Sequence, residues 1–228
     1  MALKLLLMKT TPLKAVGISA TNRAPSAKGE SHTEAALKDV LSLMAAEGVK
    51  TEFIRASDLK IYTCEGNYSK HPRLCTWPCQ SSLKYKDDQM KKIYDAILGA
   101  DIVLFATPVR WNNCSSIMQK LIERLNCIEN QYSVFNKRLI KDKVAGVVVI
   151  GHEDGAQHVG GNLLNFLTFT GFNIPPFAIA YWTGESKEDT DMDSGKISKS
   201  NFFADMKKDL AHECVSLARM LKKGKSKK

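Results

Sequence analysis

Asp101-Ile-Val-Leu-Phe-Ala106, followed at once by Thr107-Pro-Val-Arg-Trp-Asn-Asn113, is the stretch on which the fold turns. Ile102 to Ala106 is apolar without alternation, and Pro108 stops it before a helix could form. A short continuous run of this kind reads as a strand buried on both faces, which belongs in the middle of a parallel sheet. Parallel neighbours require crossover connections, usually helices, so amphipathic segments are expected on either side. They are present. Asp88 to Leu98 has helical spacing closed by Gly99, and Ser115 to Ile128 carries Ile117, Leu121, Ile122 and Leu125 on one side.

The same alternation extends in both directions. Lys14 to Ser19 reads as a first strand. A helix from Ser31 or Thr33 to Glu47, with Ala36, Leu37, Val40, Leu41 and Met44 inward, stops at Gly48. Val49 to Ile54 alternates as a second strand. Val144 to Ile150, broken by Gly151, is the fourth. Ala156 to Thr170 is a helix with Gly171 past its end, Phe177 to Tyr181 a fifth strand, and Phe202 to Leu221 the last helix. Five strands each followed by a helix predict a doubly wound α/β sandwich, for which the order 2-1-3-4-5 is the economical topology. Residues 14–221 read as a single domain, with an N-terminal extension 1–13, an insertion at about 57–88 after strand 2, and a Lys-rich tail 222–228.

The chain has 228 residues, 44% hydrophobic and 25% charged, enough to bury a core without a disulfide or metal staple. Lys222, Lys223, Lys225, Lys227 and Lys228 concentrate much of the net charge of +9 in the tail, which reads as solvated rather than as a nucleic-acid platform. Met1 to Met8 is apolar but too short for a secretory segment, and no run approaches a membrane span. The six scattered cysteines therefore read as reduced thiols of a cytoplasmic protein.

In an open parallel sheet, ligands bind outside the carboxyl ends of the strands, so three loops carry the functional reading. The first runs from Ser19 to Thr33. It is rich in hydroxyls, holds Arg23 and Lys28, and ends at a helix N-terminus, where unpaired N–H groups favour an anion. Ser31 and Thr33 read either as plain helix caps or as donors to a phosphate monoester. The loop is neither a dinucleotide turn nor a triphosphate loop. The second, Thr107 to Asn113, places an aromatic, a cation and two amides where the edge of a planar heterocycle can lie. The third, Gly151-His-Glu-Asp-Gly155, reads as a polar pocket wall rather than a metal site, because three adjacent residues rarely converge on one ion.

At these loops the chain resembles the flavodoxin-like NAD(P)H-dependent FMN reductases, a group that includes the multimeric flavodoxins and the iron–sulfur flavoproteins. Ser19, Arg23, Ser31, His32 and Thr33 stand in the places of the phosphate loop. Thr107-Pro108-Val109-Arg110-Trp111, with Asn112, matches a flavin loop of the form Thr-Pro-Val-Tyr-Trp, and Gly151, His152, Glu153, Asp154 and Gly155 match the glycine-rich third loop. The resemblance implies a flavodoxin-like fold, FMN as cofactor and NADPH or NADH as co-substrate. It also implies hydride transfer through flavin N5 to a small acceptor such as a quinone, and assembly as a homodimer or homotetramer. Arg110 replaces the usual Tyr; with Asn112 it is expected to offset charge on the reduced ring. His32 stands where Asn is common.

Cys64, Cys75 and Cys79 lie where iron–sulfur relatives carry four compact cysteines. Three are too few for a cluster, so the insertion is expected to be a metal-free loop covering the flavin. The competing class is a flavodoxin-like electron carrier, or a protein-binding module without flavin. Such carriers are typically small and acidic, whereas this chain is long and basic. A response-regulator reading fails because strands 1 and 3 do not end in acidic residues.

Overall fold

The computed structural model describes residues 12–23, 31–151, 155–184, 197 and 199–225. Five parallel strands form one sheet in the order β2-β1-β3-β4-β5, as expected. They are β1 (Lys14–Ser19), β2 (Lys50–Arg55), β3 (Ile102–Pro108), β4 (Val144–Ile150) and β5 (Ile179–Trp182). The helices are α1 (His32–Ala46), α2 (Asn67–Lys70), α3 (Gln80–Lys84), α4 (Met90–Gly99), α5 (Ser116–Ser133), α6 (Ala156–Thr170) and α7 (Asn201–Lys225).

Strand periodicity of two sorts the core into two layers. Val16, Ile18, Val103, Phe105, Val147 and Val149 face α4, α5 and α6. Ala15, Ile102, Leu104, Ala106, Val148, Ala180 and Trp182 face α1 and α7. Gly146 on β4 is required by that second layer, because a Cβ there would meet Leu210 Cδ1 of α7 at 2.6 Å. Side chains at the strand ends on this face open toward α1, and this is where the cleft lies.

Three boundaries differ from expectation. The strand expected from Phe177 begins only at Ile179, because Phe177 takes φ 51° in a turn and cannot continue a pleat. Helix α4 starts at Met90 rather than Asp88, since both Asp88 carboxylate oxygens accept from Arg124 and one also accepts from the Tyr62 N–H. Helix α7 runs past Leu221 to Lys225, and Lys222 Nζ reaches Asp101 Oδ2 at 3.4 Å. The remaining tail residues, 226–228, lie outside the described residues.

The insertion does not cover the cleft. None of the described cleft-lining residues belongs to it. It is pinned instead to the outside of α5: Arg124 donates to the Tyr62 carbonyl, Lys120 to the Ile61 carbonyl, and Asn130 to the carbonyls of Pro72 and Cys75. Cys75 and Cys79 are buried in the core with Ile61 and Tyr94. Arg124 and Asp88 form an ion pair at 2.7 Å with no side-chain exposure at either partner.

Candidate functional site

The first loop leaves β1 at Ser19, which is fully buried with its Oγ unbonded. Thr21 Oγ1 accepts from the Arg23 N–H at 3.3 Å and from the Ser31 hydroxyl at 3.2 Å, drawing the loop's two described ends together. Ser31 occupies the N-cap of α1, yet its side chain caps no backbone N–H. The N-terminus of α1 therefore keeps donors free for an anion. Arg55, at the end of β2, steadies this end of the site by bonding Glu34 of α1 and donating to the Arg23 carbonyl at 2.9 Å.

The second loop is a tight reversal. Arg110 and Asn113 exchange both backbone hydrogen bonds, at 2.7 and 2.9 Å. Trp111 (φ 48°) and Asn112 (φ 60°) between them are both left-handed, the geometry of a two-residue hairpin turn. A bulky residue at positive φ is a strained outlier of the kind that clusters at ligand sites. Ser115 fastens the base of the turn: its N–H donates to Thr107 Oγ1, its hydroxyl donates to the Ala20 carbonyl, and its Oγ accepts from Met118 N at the start of α5. The ends of β1 and β3 are thereby locked side by side. Gly155 of the third loop, at φ 74°, caps α6 and packs under Asn112.

These parts enclose a cleft of about 340 Å³, lined by Thr21, Arg23, Ser31, His32 and Thr33 at one end. Pro108, Val109, Arg110, Ile150, Gly151, Trp182 and Ile197 line the rest. Its size is that of a small-ligand site. One end holds hydroxyls and a cation beside a helix N-terminus, the floor is apolar, and the described lining contains no carboxylate. That electrostatic pattern selects a ligand with an anionic end and a flat apolar body.

Eight of the residues expected from sequence line this one cleft: Arg23, Ser31, His32, Thr33, Pro108, Val109, Arg110 and Gly151. Ser19, fully buried, and Gly155 do not line it. Trp111 does not line it and is 98% exposed at the tip of its turn. Asn112 does not line it either; its amide oxygen faces Gly155. His152, Glu153 and Asp154 lie outside the described residues. Sequence reasoning missed Thr21, Arg55, Ile150, Trp182 and Ile197. The parallel register alone gives three of them: Arg55 pairs with Ser19, Ile150 with Pro108, and Trp182 with Ile150.

The residues fit FMN on a ground visible in the molecule. The Ser31 hydroxyl, free of capping duty, stands at a helix start where a phosphate belongs. Among the described residues, no group of three His, Cys, Asp or Glu side chains is placed to hold a metal. No helix among them is long and apolar enough to cross a membrane.

Comparison with known proteins agrees with this geometry. The chain is 33% identical over 184 residues to 8-demethyl-8-aminoriboflavin-5'-phosphate synthase of Streptomyces davaonensis, covering 81% of this chain and 65% of that protein. An iron–sulfur flavoprotein of Methanocaldococcus jannaschii is 26% identical over 61% of this chain and 62% of its own length. The chain thus spans less than two thirds of each of these relatives. Among solved structures, RosB with a bound 8-demethyl-8-formylriboflavin-5'-phosphate aligns at a TM-score of 0.78 and 29% identity, over 92% of this chain and 81% of that one. Residues 13–184 match the family described as NADPH-dependent FMN reductase. With flavin-phosphate features at the strand ends and that match across most of the domain, this chain belongs to the NADPH-dependent FMN reductase family, whose members bind FMN and use NAD(P)H.

Proposed function

We propose that the chain is a reductase that takes hydride from NADPH or NADH and passes it to a small acceptor such as a quinone, acting as a cytoplasmic homodimer or homotetramer. Bound FMN supplies the redox chemistry, and the protein supplies position and charge. With FMN bound, Thr21, Arg23, Ser31 and Thr33 would hold the phosphate at the start of α1, and Pro108, Val109, Arg110, Ile150 and Gly151 would line the ring. Arg110, whose Nη1 donates to the Val109 carbonyl at 3.1 Å, would bring a positive charge beside a bound ring and offset the negative charge it gains on reduction. The fully exposed Trp111 supports the oligomeric reading, since a large apolar side chain on a strained turn suits contact with a second subunit.

The observation that carries this reading is the Ser31 hydroxyl, turned toward Thr21 rather than toward its own helix. Purified protein is expected to be yellow and to release FMN, not FAD, on denaturation. A colourless protein that takes up no added FMN would sink the proposal.

The 0.78 TM-score to a structure holding a C8-modified flavin phosphate favours one alternative. In that reading the flavin phosphate is the substrate, altered at C8, rather than a resident cofactor. Mass spectrometry of FMN recovered after incubation separates the two: unchanged mass with NAD(P)H turnover supports the reductase, and a C8-modified flavin supports the alternative.

A further inference from the structure

Among the described long helices, α6 alone carries no charged side chain. Its 15 residues hold no Lys, Arg, Asp or Glu in a chain that is 25% charged, whereas α1, α4, α5 and α7 each hold at least three. The helix is not buried all round. His158, Gly161, Asn162, Asn165, Thr168 and Phe169 are exposed, and at 3.6 residues per turn they fall within about 120° of its circumference. Half-buried Leu164 and Phe166 flank that stripe on its two sides. Phe169 is 70% exposed.

A helix face that stays in water normally displays charge. Here most of the polar side chains bond within the subunit instead. The Asn162 amide and the His158 ring bond each other at 3.0 Å, the Thr168 hydroxyl donates to the Leu164 carbonyl at 2.9 Å, and Gln157 Nε2 donates to the Tyr181 hydroxyl at 2.6 Å. A face satisfied in this way loses little when water is taken from it. Depletion of charge beside an exposed aromatic side chain is the composition of an interface core. Gly155 caps α6 and packs under Asn112, so the turn bearing the exposed Trp111 adjoins the N-terminal end of the same helix. The charge pattern also selects the occupant. The chain carries a net charge of +9, so two copies repel over most of their surfaces. A two-fold contact lays a patch against itself, which an uncharged patch does without meeting its own charge. A partner recognised by charge would need ionised groups on this face, and it has no Lys, Arg, Asp or Glu.

We infer that the exposed face of α6 is the contact between two copies of this chain, with α6 of one subunit packed on α6 of its partner about a two-fold axis. The inference deepens the oligomeric part of the proposed function and rests on it. Asn165, near the middle of the stripe, has no hydrogen-bond partner for its amide within the subunit. An amide both donates and accepts, so it can pair across the contact with an amide of the second copy. Phe169 passes from water to an apolar surface.

The test is sedimentation of the full chain, incubated with FMN, as wild type, Asn165→Glu, Asn165→Lys and Phe169→Ala. Asn165 is exposed, so either charge is tolerated by the folded subunit, and circular dichroism verifies this. Each charged variant is expected to sediment at half the wild-type mass, because like charges then face each other in the contact. An equimolar mixture of the Glu and Lys variants is expected to regain the wild-type mass, since opposite charges meet. Phe169→Ala, which adds no charge, is expected to weaken association by roughly tenfold or more. A monomeric wild type overturns this inference and the oligomeric reading together. Wild-type assemblies whose Asn165 variants keep the same mass overturn this inference alone. Loss with one sign of charge only, or a mixture that stays at half mass, shows that the face does not meet its own copy and overturns it as well. None of these outcomes touches the FMN reading, which the colour of the protein tests.

Discussion

Gly155 lies so close beneath Asn112 that a methyl group on it would stand 2.5 Å from Asn112 Oδ1 and 3.3 Å from Asn112 Cα. Gly155 also holds φ 74°, which any L side chain resists by ~1–2 kcal/mol. The third loop is thus clamped against the second by the absence of a side chain. Gly155→Ala should lower stability by at least about 1–2 kcal/mol and also weaken FMN, because the turn carrying Arg110 must shift. Gly161→Ala, where a methyl meets nothing within 4 Å in the same helix, should instead be neutral or stabilising by up to ~1 kcal/mol. Thermal melts of the two variants, with FMN titrations, check both.

Replacing Ser31 and Thr33 together by Ala should weaken FMN by at least ~1–2 kcal/mol and riboflavin far less, since hydrogen bonds to a charged phosphate are lost. The Ser31 side chain makes no cap bond, so little helix stability goes with it. Equal losses for the two ligands in an equilibrium titration would show that neither hydroxyl meets the phosphate.

The layout of the sheet was legible because β3 and β4 are buried on both faces and write that burial as unbroken apolar runs. The phosphate end was legible too, since hydroxyls ahead of a helix start are a local signal. What stayed hidden depends on register or on long-range pairing. Trp182 escaped notice because Phe177 looks like a strand residue, which moved the strand one residue short of the cleft. The packing of the insertion escaped because Arg124 and Asp88 lie 36 residues apart and nothing local in the sequence marks them as partners. Only folding shows that they bury each other.

That buried pair sets a pH dependence. Burial pushes the Asp88 carboxyl up, but the Arg124 guanidinium, the Ser82 hydroxyl and the Tyr62 N–H outweigh it and hold it below the ordinary carboxylate value. A carboxyl depressed on folding contributes stability that is fully present above its unfolded pKa of about 4 and fades as pH falls toward its folded value. Asp88→Asn should therefore cost ~3–5 kcal/mol at neutral pH by stranding the Arg124 charge. The gap between wild type and variant, followed by denaturant unfolding, should narrow below about pH 4. A gap constant down to pH 2 would rule out the charge as its source.

Cys79 should be ionised yet slow to react. Its hydrogen bond with Cys127 pulls its pKa down to about 4 against the opposing cost of burial, and the Arg124 charge, the Tyr94 hydroxyl and the Ser81 N–H add to the pull. Only 7% of the residue is exposed, so a thiolate there is shielded from reagents. Iodoacetamide on native protein should label half-exposed Cys64 before Cys79, with the difference vanishing in denaturant; peptide mass mapping reads the order. Cys79→Ser should also lower stability, because Cys79 is part of the core rather than a surface loop.

Steady-state kinetics should be ping-pong, with the oxidised nicotinamide leaving before the acceptor enters. The argument is spatial. Pro108, Ile150 and Trp182 line one wall of the cleft across three paired strands, so a ring bound there would have one face against the protein and one open. Donor and acceptor must each approach that face to within about 3–3.5 Å for transfer, and two planar molecules cannot both stack there. Parallel double-reciprocal lines are the expected result, and intersecting lines would require a second approach to the ring. Arg110, exposed at the cleft mouth, is placed to meet either the phosphates of the donor or the charge on the reduced ring. Arg110→Ala should therefore slow flavin reduction by NADPH, followed by stopped flow, more than reoxidation by a neutral quinone. Equal slowing of both half-reactions would place Arg110 in ring positioning rather than in charge recognition. A protein that binds FMN but is reduced by neither nicotinamide would be an electron carrier instead.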